Sequence, residues 1–123
     1  MKLWIERNAR EYGEQIGIAQ RYMPSIIFSR EELCAMPVKM TLKESKKCFG
    51  MCVPESKIIF IHVKKHSAYE RLKDTMLRAL VYYRFGDLKD DTEVEERISS
   101  IKGGRKYPVI SIAGEARPPL VIY

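Results

Sequence analysis

The sequence contains no long apolar run, and nothing in it approaches the ~18 consecutive residues that a membrane span needs. Cysteine is scarce. Cys34, Cys48 and Cys52 are an odd count with no framework spacing, which excludes a disulfide-stapled scaffold and suits a reducing compartment. The opening residues, MKLWIERNAREYGE, lack the apolar core of a secretory signal, so the protein is expected inside a cell, in the cytoplasm. There is no Gly-rich phosphate loop, no Ser-His-Asp set and no carboxylate pair of defined spacing, so those enzyme chemistries lack their residues. Internal repeats, linkers and low-complexity segments are also missing.

What is there suits one globular domain spanning residues 1–123, long enough to bury a core without staples. Hydrophobic residues make up 46% and charged residues 31% of the chain. Twenty-two Lys and Arg against sixteen Asp and Glu give a formal charge of +6. Such an excess favours nucleic acid or an acidic protein as partner, and it equally serves solubility where the charges are scattered.

The pattern predicts α+β structure. Lys2 to Glu6 reads as a short strand. Asn8 reads as a helix N-cap with Glu11 three residues on, and Ala9, Tyr12, Ile16, Ala19 and Met23 line one face of a helix that Pro24 ends. Ser25 to Phe28 reads as a brief strand, and Ser29 with Glu32 as the cap of a helical turn before Pro37. Val38, Met40 and Leu42 alternate with lysines and threonine, as in a strand with one wet face. A stretch from Lys47 to Val53, a turn at Pro54-Glu55-Ser56 and the apolar strand Lys57 to Lys64 predict a hairpin. A long helix is expected from Ser67 to Phe85, with Tyr69, Leu72, Met76, Ala79, Leu80 and Tyr83 on its apolar face and Leu77 and Val81 widening it. Gly86 stops it. Thr92 and Glu95 start a further helix that buries Val94, Ile98 and Ile101 and ends at Gly103-Gly104. The remainder reads as two strands around a Gly-Glu-Ala-Arg turn.

KCFGMCVPESKIIFIHV followed by RLKDTMLRALVYYRFGDL and DDTEVEERI resembles SprT-like zinc metallopeptidase domains, of gluzincin type, from about Val38 to Lys106. The family's helix typically reads L-x-x-T-[LIM]-[LI]-H-E-L-x-H, and its third ligand lies in H-G-x-x-F. The resemblance implies a small zincin-like domain, with an antiparallel sheet or hairpin packed on the former active-site helix. It also places Arg78 at the first ligand histidine, Ala79 at the general base, Tyr82 at the second histidine, and Asp90 at the third ligand with Asp91 at its glycine.

Two histidines at i and i+4 share a helix face and reach one Zn²⁺, and the glutamate between them activates the bound water. A guanidinium never ligates metal, and alanine moves no proton. The expectation is therefore a metal-free, cofactor-free pseudoenzyme. Asp74 stands one turn from Arg78 and can pair with it, and Tyr82 can stack on it. The old cleft is then filled. The alternative is an open cleft in which Arg78 presents a positive group. Other ligand sets are poor: Cys48 and Cys52 stand about 13 Å apart on a regular strand. His62 is expected at the surface of its strand, and His66 in the following loop. The acids Asp90, Asp91, Glu93, Glu95 and Glu96 sit where a helix dipole favours them.

The leading expectation is a binding or regulatory module acting on nucleic acid or nucleoprotein, because SprT-like proteins often act on DNA-bound proteins. The candidate phosphate contacts are Lys39, Lys43, Lys46, Lys47, Lys57, Lys64 and Lys65 along the hairpin, and Lys102, Arg105 and Lys106 after the last helix. Phe49 is the nearest stacking candidate. A solvated sheet face is the plainer reading of the same lysines. The alternative function is a structural or inhibitory protein-interaction protein of the kind archaeal viruses and mobile elements encode (then in the host cytoplasm). It would work as a homo-oligomer or as a decoy of an active relative, with Pro119 to Tyr123 as an edge for pairing.

Overall fold

The computed structural model describes residues 2–29, 49–62, 69–86, 90–109 and 120–122. In chain order these form α1 (Lys2–Ile16), a 3-10 turn (Gln20–Tyr22), β1 (Ser25–Ser29), β2 (Gly50–Val53), a 3-10 turn (Pro54–Ser56) and β3 (Ile58–His62). α2 (Tyr69–Phe85), α3 (Asp91–Lys102) and β4 (Leu120–Ile122) follow. The α+β class expected from the pattern is present. No helix among the described residues is long and apolar enough to cross a membrane.

The sheet order is β1-β3-β2-β4. β2 and β3 form the expected hairpin, with Gly50 opposite Ile61 and Val53 opposite Ile58. The sheet is mixed rather than antiparallel, because β1 runs parallel to β3, with Ser25 opposite Ile58. β4 pairs antiparallel with β2, Gly50 facing Ile122. Ile59, Phe60 and Ile61 are all buried, so β3 is covered on both faces. An unbroken apolar run is the signature of such an inner strand. His62 is buried too, at 4% exposure, which corrects its expected surface position: the burial of β3 extends to its last residue.

Both boundaries of α1 differ from the pattern. Residues 2–6 belong to α1 and not to a strand, and Asn8 lies inside that helix. Lys2, Leu3 and Glu6 are good helix formers, and Trp4 and Ile5 are tolerated in a helix, so the segment continues the helix that follows it. α1 also ends earlier than Pro24. Gly17 has φ +86°, and the N–H groups of Gly17 and Ile18 donate to the Gly13 carbonyl at 3.1 and 2.9 Å. This is a glycine cap of the Schellman type, which turns the chain out of the helix.

α2 packs against α1, α3 and three strands of the sheet. Leu72, Met76, Leu77, Ala79, Leu80, Val81 and Tyr83 are buried along it, the wide apolar face read from the sequence. The Tyr83 hydroxyl donates to the Tyr22 carbonyl at 2.8 Å, so the phenol's polar tip is satisfied inside the core. After α3 the chain returns to α1. The Tyr107 N–H donates to the Gln15 carbonyl at 2.7 Å. The expected strand at Val38–Leu42, the helical turn after Ser29 and the Gly-Glu-Ala-Arg turn lie outside the described residues.

Candidate functional site

The positions that the resemblance assigns to zinc chemistry are occupied as follows. Ala79 is fully buried in the apolar core, and Tyr82 packs against it. Arg78 forms an ion pair with Glu95 of α3, not with Asp74. Asp74 pairs instead with Lys102, also on α3. The expected i, i+4 partner gives way because α3 lies alongside α2 and brings opposite charges across the seam. Both pairs are largely exposed, so each contributes at most about 1 kcal/mol. They fix how the two helices align.

Asp90 is the N-cap of α3, and its carboxylate accepts the Glu93 N–H at 2.9 Å. The helix therefore starts two residues before the Thr92 cap expected from the pattern. Asp is a strong capping residue, and Asp91 and Glu93 then sit in the first turn, where the helix dipole favours acids. Asp90→Ala is expected to lower stability by about 1 kcal/mol, read from a denaturant melt, with Asp90→Asn recovering most of it. Among the described residues no three His, Cys, Asp or Glu side chains stand together in a way that could hold a metal ion.

Of the candidate phosphate contacts, Lys39, Lys43, Lys46, Lys47, Lys64 and Lys65 lie outside the described residues, as do Cys34, Cys48 and His66. Lys57 adopts a left-handed conformation at the hairpin turn, φ 54°, and its ammonium lies 5.6 Å from the centre of the Tyr22 ring. Phe49 is half-buried against the core. Lys102, Arg105 and Lys106 are exposed and follow one another out of α3.

A different cluster, not singled out in the sequence, lies where α2 ends beside α3. The rings of Phe85 and Tyr107 meet edge to face, with centroids 5.1 Å apart. Three guanidiniums stack on them. Arg84 and Arg97 each lie 4.7 Å from the Phe85 ring centre. Arg97 is 5.4 Å and Arg105 4.9 Å from the Tyr107 ring centre. α2 supplies Arg84 and Phe85, α3 supplies Arg97, and the segment returning to α1 supplies Arg105 and Tyr107. None of the three arginines takes part in the ion pairs seen among the described residues, Arg78–Glu95 and Lys102–Asp74.

The cluster's polar groups are incompletely satisfied. One terminal nitrogen of Arg84 reaches the Pro108 carbonyl at 3.4 Å, while its Nε is buried without a hydrogen-bond partner among the described residues. Burial, then the charge of Arg97, lowers the pKa of Arg84 from its ordinary value. The Tyr107 hydroxyl is buried near Arg97 and Ser100 but makes no hydrogen bond of normal geometry among the described residues. Burial pushes its pKa up. The neighbouring Arg97 and Ser100 side chains and the charges of Arg105 and Arg97 pull it down further, and the net direction is down. Such a constellation stabilises negative charge.

One signal of this cluster was available in the sequence. From Arg97 to Val109 there are four cations and no carboxylate, whereas the five acids of the α3 region all lie between Asp90 and Glu96. Arg105 is among the phosphate contacts expected from the sequence, but its neighbours in the cluster are not, because Arg84 and Phe85 come from the previous helix. No protein-family model, curated protein or solved structure matches the chain.

Proposed function

We propose that the protein is a non-catalytic binding module whose partner is nucleic acid, free or within a nucleoprotein. The observation that carries this is the one-signed stretch from Arg97 to Val109, with Lys102, Arg105 and Lys106 exposed along it. A phosphate backbone binds such a stretch by releasing counterions, without reading bases. The acids of α3 stand at its other end, and at this end Asp74 of α2 pairs with Lys102 alone among the ion pairs of the described residues.

The non-catalytic half of the reading rests on the frame. We take it to be an SprT-like, zincin-type domain whose ligand and base positions have become an ion pair at Arg78, core at Ala79 and Tyr82, and a helix cap at Asp90. Each of those residues has a structural task, which supports the reading that none of them serves catalysis.

Fluorescence anisotropy of labelled single- and double-stranded DNA and RNA over a salt series tests the proposal. Binding is expected in the micromolar range at low salt. The slope of log K against log salt should be about −3 to −4, one ion for each basic residue that meets a phosphate. Affinity should vary little between sequences of equal length. No binding to any of these probes at low salt overturns the reading and leaves an acidic protein as the partner to seek.

A further inference from the structure

The two rings and three guanidiniums between α2 and α3 have an arrangement that nucleic-acid binding in general does not require. The guanidinium carbons of Arg84, Arg97 and Arg105 lie over the Phe85 and Tyr107 rings, which gathers three cations and their N–H edges around one pair of touching rings. A guanidinium presents those edges as a rigid fork that matches oxyanions. Three like charges around two touching rings repel one another, and an anion placed among them removes that repulsion. The buried Arg84 Nε and Tyr107 hydroxyl are two donors whose hydrogen bonds are not completed among the described residues.

We infer that Arg84, Arg97 and Arg105 form a seat for one phosphate group, with a nucleic-acid strand as its carrier. The carrier rests on the function proposed above, but the seat does not. Phosphate fits better than a carboxylate, because it offers enough acceptor oxygens for three forks at once. The ring faces are already covered by guanidiniums, so the seat takes a phosphate and does not stack a base. A backbone diester and free inorganic phosphate share this chemistry, and the experiment separates them.

The test compares the full-length wild type with Arg97→Gln, Arg105→Gln and Arg97→Lys, and with Arg10→Gln as a control that removes the same charge from an exposed position on α1. Arg105 is exposed, so its variant keeps the fold even if Arg97→Gln loosens the rings. Arg97→Gln and Arg105→Gln should each weaken oligonucleotide binding about fivefold to tenfold and lower the salt slope by about one. Arg97→Lys should fall between, since it keeps the charge and loses the fork, and Arg10→Gln should change affinity less than about twofold.

In parallel, the arginine Nε–Hε NMR signals of the wild type are followed while inorganic phosphate is added, with chloride at equal ionic strength as reference. Shifts confined to Arg84, Arg97 and Arg105 support the seat. If oligonucleotides bind but Arg97→Gln and Arg105→Gln behave like Arg10→Gln, the seat is overturned and the general nucleic-acid reading survives. If no oligonucleotide binds yet inorganic phosphate moves those three signals, the carrier is wrong and the seat stands. If neither probe has an effect, both ideas fail.

Discussion

Ala79→Glu, which places a carboxylate at the position that the proposed SprT-like frame gives to a general base, is expected to lower stability by about 3–5 kcal/mol, much of the stability of an ordinary domain. Ala79 is fully buried, in the same apolar cluster as Met76, Leu80 and Tyr83. Two costs add there. The longer side chain overpacks a filled space, at about 1–3 kcal/mol. The carboxylate also loses its water without gaining a partner. It can escape the second cost only by staying protonated, so its pKa in the folded state must lie above the unfolded value of about 4.3. The direction of the pH effect follows. The charge penalty is absent below the unfolded pKa, grows as pH rises, and is complete above the folded pKa. Urea melts at acid and neutral pH measure it. Ala79→Leu, which adds bulk without charge, isolates the packing term and should show no such pH dependence. A glutamate variant as stable as wild type at neutral pH would put residue 79 on a wet surface, where a catalytic base belongs, and would reopen the peptidase reading.

The parts of the fold legible in the sequence are those set by local pattern. The hairpin is marked by Pro54-Glu55-Ser56 between two apolar runs, and α2 by its apolar face and by its end at Phe85, while Ser67, its expected start, lies outside the described residues. β3 was readable as a strand, but not as a strand beside β1, because parallel pairing joins segments far apart in the chain. The same limit hid the burial of His62, which depends on what lies over the end of β3. Lys2 to Glu6 holds a run of three apolar residues between two charged ones, too short to separate a strand from the first turns of α1. At the site, the identities at 78, 79, 82 and 90 carry the expectation, resting on the resemblance, that a zinc motif does not operate. The partner of Arg78 was not, since the i, i+4 rule describes one helix and Glu95 sits on another. The arginine–ring cluster failed for the same reason, being assembled from α2, α3 and the segment after it. Single-residue chemistry was legible, and cross-element chemistry was not.

Gly17→Ala is expected to cost about 2–4 kcal/mol and to weaken phosphate binding, although residue 17 touches none of the three arginines. Its φ of +86° lies where a side chain is strained, at roughly 1 kcal/mol. An added Cβ would stand 2.2 Å from the Pro108 carbonyl oxygen, 2.9 Å from the Pro108 carbonyl carbon and 3.0 Å from the Tyr107 carbonyl oxygen. These are backbone atoms, so relief requires the whole 107–108 segment to move. That segment is held to α1 by the Tyr107 N–H bond to the Gln15 carbonyl. It also carries the ring under Arg97 and Arg105, and the carbonyl that Arg84 reaches. Moving it shifts the platform on which the guanidiniums are stacked. Gly104→Ala supplies the comparison: its φ is +93°, yet nothing lies within 4 Å of the added Cβ. It should lose only the conformational part, about 1 kcal/mol, and leave phosphate affinity within about twofold of wild type. Paired denaturant melts and phosphate titrations of the two variants separate strain from displacement. Equal costs for both would show that the close approach of Gly17 to Pro108 does not fix the segment, and would remove the link between the end of α1 and the arginine cluster.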